Sequence, residues 1–368
     1  MAAPTLFEPA GGGPVAEVDS AWIPALPEEY ARLDSRGCRL MLAAADEAIA
    51  GARLEDDDLA GAAIFTGTTS SGILEGEEAF AGVGPDDPRP EYRFFDDQYV
   101  AGALGRALAR IRHVGGPRVT ISTACSSSAN ALVQACAAVE QGRLGVALVQ
   151  GVDSLTRLTY HGFGSLALVS PSPCVPFDAK REGLTLGEGA ACLVVEHPDR
   201  ARARGAPVHC AVAGWSRNVD GHHITQPDPE GRGIEACVRA SLAHARVEPG
   251  QVGHVNAHGT GTLQNDLVEG SVMARVFGRT VPVTSTKSYT GHTLGAAGAL
   301  ETLLCALGLG EGFVPATLGT REVDPALEVD VVTGTTRSVE AAAALTNSFG
   351  FGGNNCCVVL GRTEGEAP

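Results

Sequence analysis

Four short stretches of this 368-residue chain carry the side chains and turns best suited to covalent and proton chemistry. They are Cys125 in TACSSS, His258 in NAHGTGTLQND, Lys287 with His292 in STKSYTGHTLGAAGA, and the glycine-rich NSFGFGGNN that contains Phe351. The run RVTISTA ahead of Cys125 alternates Val119 and Ile121 with polar neighbours, as a strand does. The run SSSANALVQACAAVEQG behind it reads as a helix, with Ser126 to Ser128 placed to cap its start. Cys125 therefore belongs at a strand-to-helix turn, facing the positive end of a helix dipole. Such a site favours the thiolate, which is the nucleophilic form. A thiol with histidines far along the chain fits the pattern of an activated nucleophile.

Each stretch also has an ordinary structural reading. Free cysteines are among the most buried residues, and this chain has 10. Cys136, Cys192, Cys237 and Cys305 lie in apolar contexts and read as core. No CxxC and no zinc-like Cys/His spacing occurs, which argues against a metal site. A lone histidine is most often a hydrogen-bonded structural residue, HGTGT reads equally as a tight turn, and GFGG alone is a weak phosphate-loop mimic. Neither GxxxxGK[ST] nor a GxGxxG opening a helix after a first strand is present, so nucleotide binding has no support.

Composition narrows the class further. With 44% hydrophobic and 19% charged residues the chain can bury one large α/β unit or two fused halves. A net charge of −16 argues against nucleic acid and anionic membranes as partners. No apolar run is expected to reach membrane-spanning length. The first 25 or so residues, rich in Gly, Pro and Ala, read as an irregular lead-in without a secretory signal. Many unpaired cysteines then suggest a reducing cytoplasm.

The elements that must position these residues alternate along the chain. Residues 28–52 read as a helix interrupted by Gly37, 60–72 as a strand and Gly/Ser loop, and 98–113 as a helix before the Cys125 strand. GVALVQGVDS and EGAACLVVE are further strands. After the charged, proline-containing stretch 197–207 a second strand–helix series begins and runs to NCCVVLG. Such alternation implies mostly parallel sheets covered by helices, and two series imply a duplicated α/β domain, here divided as 1–204 and 205–368.

Taken together with PFDAKREGLTLGEGAACLVVE at 176–196, the four stretches resemble those of the elongating I/II class of β-ketoacyl-ACP synthases, including ketosynthase subunits of type II polyketide systems. The resemblance runs from about residue 28 to 361, in the family's order. It implies a duplicated thiolase fold of five layers, α-β-α-β-α, dimerising through 117–123. It implies a decarboxylative Claisen condensation: Cys125 holds the acyl chain, and His258 and His292 donate N–H groups to the malonyl thioester carbonyl. Lys287 supplies a positive field and pairs with Glu269. The backbone N–H groups of Cys125 and Phe351 form the oxyanion hole, and the Phe351 ring gates the acyl pocket. Thr260 and Thr262 hydrogen-bond the phosphopantetheine arm of the acyl carrier protein, the form in which substrates arrive; no cofactor is held permanently. The implied partners are that carrier protein and a second subunit, either an identical copy or a chain-length-factor-like chain.

The pattern departs from close relatives and from its own family. GFGGNNCC puts its cysteines in an expected strand rather than in a thiolase's catalytic position, and an initiating ketosynthase would pair Cys and His with Asn. Nothing before residue 28 resembles the family's opening strand, which leaves the order of the first sheet open, and Asn354 stands where Thr is usual. The alternative function is a structural subunit that shapes a partner's pocket; the presence of Cys125 disfavours it. Arg32, Arg36 and Arg39 on the first helix, with Arg106, Arg110 and Arg112 as a second cluster, are the expected dock for an acidic carrier protein.

Overall fold

A computed structural model describes residues 1–7, 13–81 and 95–363. Two sheets and three layers of helix account for the core. The first sheet contains β1 (Ala63–Gly67), β2 (Arg118–Ile121), β3 (Val146–Asp153) and β4 (Gly189–Glu196), in the order β2-β1-β3-β4. The second contains β5 (Ala211–Val219), β6 (Val252–Asn256), β7 (Pro282–Thr284), β8 (Asp330–Val331), β9 (Ala343–Gly350) and β10 (Asn354–Gly361), in the order β8-β7-β6-β9-β10-β5. Four strands of each sheet correspond, and β8, parallel to β7, has no counterpart in the first. In each, parallel strands (β2, β1, β3; β7, β6, β9) are followed by an antiparallel one, β4 or β10. The second sheet then adds β5, antiparallel to β10, while the first adds nothing beyond β4 among the described residues.

Residue pattern explains the layers. Strands such as β1 and β3 are buried on both faces, so their apolar residues run continuously rather than alternating with polar ones. Ile64, Leu148 and Val152 face α1 (Arg36–Gly51) and α2 (Ala103–Ile111), while Ala63, Phe65, Ala147 and Val149 face the centre. The centre holds α3 (Ser127–Glu140) and α6 (Ala297–Glu311), with Cys356, Val358 and Leu360 of β10 closing it from the other side. On the far face of the second sheet, α4 (Arg232–Ala245) and α5 (Leu263–Phe277) pack on Val255, Leu345, Cys357 and Val359. The result is the thiolase-type α-β-α-β-α stack. Small residues let the central helices approach: a Cβ on Gly298 would stand 2.6 Å from the Ala129 nitrogen, and Ser128 Oγ accepts from the Ala299 N–H at 2.9 Å.

Several expectations need correction. The stretch 28–52 is not one helix: Glu28–Leu33 is a 3₁₀ turn, Asp34 is extended, and Ser35 starts α1 by accepting from the Cys38 N–H at 3.1 Å. Gly37, expected to interrupt, sits buried in the first turn of α1. The Leu294–Glu311 segment does reach 18 residues at mean hydropathy 1.3, yet 67% of it is buried inside the protein as the central layer. Of the expected lead-in, residues 8–12 lie outside the described residues; Val15–Ala16 pairs in parallel with Leu186–Gly187.

Three of the six arginines of the expected docking face already have acidic partners, while Arg32, Arg106 and Arg110 are exposed. Arg36 is buried against Glu188, with its Nε 2.9 Å from the carboxylate and a guanidinium nitrogen 2.5 Å from the Val18 carbonyl. Arg39 pairs with Asp34, and Arg112 reaches Asp46 at 2.5 Å. Spacing on a helix predicts a shared face, but it does not show that an acid from another element already occupies it.

Candidate active site

The candidate nucleophile, Cys125, sits on a strained turn. Between β2 and α3, Ala124 takes φ +52°, a left-handed conformation that turns the chain sharply and presents Cys125. The serines after it do not cap as expected. Ser126 Oγ donates to the Thr123 carbonyl at 2.8 Å, and Ser127 Oγ donates to the Ala124 carbonyl at 2.6 Å while accepting from the Thr123 N–H at 2.9 Å. They brace the turn instead of the helix. Cys125 is 4% exposed, and burial pushes its thiol up to about 12, against the pull of the Lys287 ammonium and the Phe351 N–H. The expected thiolate-favouring site is therefore a neutral thiol in the unloaded protein, because loss of solvent outweighs both attractions.

The second sheet delivers the rest of the site. The turn between β9 and β10 lies against Cys125: a Cβ on Gly350 would stand 2.8 Å from the Thr123 carbonyl oxygen and 3.2 Å from the Cys125 nitrogen. The Phe351 N–H faces the thiol. Its ring stacks on Phe163, centroids 5.3 Å apart at 26°. Asn354, in the place of the expected Thr, donates to the Phe351 carbonyl at 2.8 Å and so holds the turn closed.

His258 follows β6, and His292 follows the short helix Lys287–Thr290 through Gly291, at φ +65°. The two rings meet edge to face with centroids 5.4 Å apart. Lys287 Nζ lies 3.3 Å from His258 Nδ1. An ammonium has only protons to offer, so Nδ1 accepts and the imidazole proton resides on Nε2. Burial, the Lys287 charge and the neighbouring ring hold His258 well below the ordinary histidine range; burial and Lys287 do the same to His292. Both are neutral N–H donors at neutral pH.

Glu269 does not pair with Lys287. Its carboxylate accepts from the backbone N–H groups of His258 and Gly259, both at 2.8 Å, and from Asn347 Nδ2 at 3.1 Å. The lysine's partner is Glu301 on α6, which burial raises to about 7 even though Lys287 pulls it down. Thr260 and Thr262 lie together in the following turn, their hydroxyls 2.9 Å apart, and Asp266 receives the Gly261 N–H at 3.2 Å.

Glu301, Asp153 and Phe163 are the participants that the sequence reading missed. Glu301 had a signal: between Ala297 and Gly310 it is the single charge in an apolar helix. Asp153, at the end of β3, is 1% exposed and receives Thr68 Oγ1, the N–H groups of Thr69, Ser70 and Gly295, and Ser70 Oγ, at 2.6 to 2.9 Å. It binds the 68–70 turn to the segment following His292, and Thr69 Oγ1 continues to the Ala124 carbonyl at 3.4 Å. The thiolase-like alternative cysteines are absent from the site: Cys356 and Cys357 are fully buried on opposite faces of β10.

A duplicated α-β-α-β-α fold with a buried thiol, two neutral imidazoles and a lysine at the junction of its sheets defines a condensing enzyme of the thiolase type. The chain belongs to the beta-ketoacyl synthase family: residues 13–201 match the beta-ketoacyl synthase N-terminal domain and 209–321 the C-terminal domain. It is 32% identical to the 3-oxoacyl-[acyl-carrier-protein] synthase 2 of Synechocystis sp. over 96% of this chain and 87% of that protein. Among solved structures it resembles the ketosynthase ApeO in complex with its chain length factor ApeC from Xenorhabdus doucetiae, with 36% identity, TM-score 0.81, and coverage of 95% and 87% of the two chains. The ishigamide ketosynthase/chain length factor gives 31% identity and TM-score 0.89 over 98% and 91%. This chain is a ketosynthase, an acyltransferase-type enzyme.

Proposed function

We propose that the chain performs the elongating condensation of fatty acid or type II polyketide assembly, using acyl and malonyl groups carried on the phosphopantetheine of an acyl carrier protein. The Lys287–His258 contact carries this reading, because it fixes Nε2–H as a donor beside a second neutral imidazole. In the first half-reaction the Cys125 sulfur attacks the acyl thioester, the carrier sulfur leaves, and the thiol proton passes to it. The developing oxyanion receives the N–H groups of Cys125 and Phe351. In the second, the malonyl C–C bond breaks, CO₂ leaves, and the electron pair becomes an enolate held by His258 and His292. The enolate carbon then attacks the acyl carbon on Cys125; a C–C bond forms, the C–S bond breaks, and the thiolate takes a proton from solvent. In this reading residues 1–204 supply the nucleophile and 205–368 the decarboxylating groups, with Thr260 and Thr262 steadying the pantetheine arm. The chain works with a carrier protein and pairs with a second subunit, a copy of itself or a chain-length-factor-like chain.

Separating the half-reactions tests it. Cys125→Ala should abolish condensation and leave malonyl-thioester decarboxylation measurable, since no other residue holds the acyl group. His258→Ala or His292→Ala should cut decarboxylation about a hundredfold, the worth of roughly one preorganised donor. Acyl transfer to Cys125 should survive better. Normal condensation by the Cys125→Ala protein, followed by product mass, overturns the assignment.

A further inference from the structure

The two sheets end differently, and the difference exposes a binding edge. In the second sheet β10 is covered along its outer side by β5, paired from Asn354↔Val219 to Gly361↔Ala211, and Cys356 through Leu360 have no exposed surface. In the first sheet β4 holds the corresponding place, but Ala190, Leu193, Val194 and Val195 are all half-exposed. Its backbone pairs with β3 on one side; on the other no described residue takes up its N–H and C=O groups, the bonds to His292 and Ala16 being made by Gly187 and Glu188 just ahead of it. An unpaired strand edge is a template for another strand.

Beside the beginning of that edge lies a slot of 410 Å³ between α1 and α6, floored by Ala44, Ala190 and Leu300. Trp22 stands at its mouth, 82% exposed. A large indole left in water beside an apolar slot marks a contact surface rather than a core position. The ionisable groups lining the slot are Glu17, Glu47 and Glu188, and no Lys or Arg lines it. Arg36 pairs with Glu188, while no cation pairs with Glu17 or Glu47 among the described residues.

We propose that β4 is completed by strand addition: an extended segment of a partner polypeptide, with alternating apolar and basic residues, lies antiparallel along 189–196 as β5 lies along β10, its basic side chains meeting Glu17 and Glu47. A second copy of this chain does not fit the role. Two copies of a chain at −16 repel, and the slot's Glu17 and Glu47 call for a positively charged occupant. The edge is also at the opposite end of the sheet from β2, the strand through which the resembled family dimerises.

Backbone amide hydrogen exchange of the full chain, with a short synthetic peptide of alternating valine and lysine as the probe, decides the matter. Without peptide, 189–196 should exchange much faster than 354–361, at all protein concentrations. Saturating peptide should slow 189–196 by at least about tenfold and leave 354–361 unchanged. The same peptide with glutamate for lysine should not protect. The surface substitutions Trp22→Ala and Glu47→Lys should each weaken binding of the lysine peptide about tenfold without altering the melting temperature. Slow exchange of 189–196 in the free protein would overturn the proposal, as would protection that grows with protein concentration alone. So would failure of the lysine peptide to protect, or equal protection by both peptides.

Discussion

At the scale of single residues, the site is organised by where protons and charges are held. Lys287 stands between His258 Nδ1 and Glu301, so one ammonium fixes a tautomer on one side and meets a carboxylate on the other. The family resemblance, by Glu269's place eleven positions after His258, made it the expected partner. Both acids lie on helices and both are fully buried, and no spacing rule says which helix crosses behind the lysine. The two positions should separate by experiment. Burial sets Glu301 at about 7, so acidification through neutral pH protonates it and dissolves its ion pair with Lys287. Decarboxylation by the wild-type protein should therefore show an acid limb near pH 7. Glu301→Gln should be slow and lack that limb. Glu269→Gln should retain the limb but lose roughly 2 kcal/mol of stability, because an amide oxygen cannot replace both acceptors of the His258 and Gly259 N–H groups. An acid limb that vanishes in Glu269→Gln instead would restore the original pairing.

At the scale of elements, a turn from each sheet must meet for the thiol to be useful. The strand-turn-helix around Cys125 was legible because period-two alternation stops where small helix-forming residues begin. What the serines do there was not, since their bonds depend on the left-handed turn at Ala124, a feature no local preference for alanine would suggest. The partner turn, GFGG, had a weak signal by itself and gains meaning from contact. Gly350 has an ordinary φ of −123°, so its requirement is space rather than backbone freedom. Gly350→Ala would place a methyl 2.8 Å from the Thr123 oxygen and push the Phe351 N–H away from Cys125. The expected outcome is at least about a hundredfold slower acylation of Cys125, the loss of one oxyanion donor, measured by intact-protein mass after exposure to an acyl thioester. Stability should fall by about 1–3 kcal/mol. Acylation at the wild-type rate would show that the turn is not part of the oxyanion site.

At the scale of the whole molecule, the duplication was visible as two strand–helix series, while the unequal sheets were visible only as a missing opening strand. Binary patterning shows that a strand is apolar but not whether its outer edge is covered, and β4 and β10 read alike in sequence. The interior also carries charges and rings whose titration ties the fold to pH. His254 on β6 is 4% exposed, its Nδ1 is 3.8 Å from Cys305 Sγ, and burial lowers it to about 4. The unfolded chain takes up this proton near pH 6.5, whereas the folded chain resists it down to about 4. A depressed imidazole contributes stability that is fully present above pH 6.5 and lost as pH falls towards 4, at about 1.4 kcal/mol per pH unit. His258 and His292, also held neutral, slope the same way. Glu301 slopes the opposite way, since a raised carboxyl loses stability as pH rises through its folded value near 7. Replacing His254 by Gln removes one of these slopes and leaves the others. Relative to the wild type, the variant should gain about 2 kcal/mol between pH 8 and pH 5, read as a closing gap in urea midpoints at the two pH values. A gap of the same size at both would mean that His254 is not held neutral by burial between the sheet and α6.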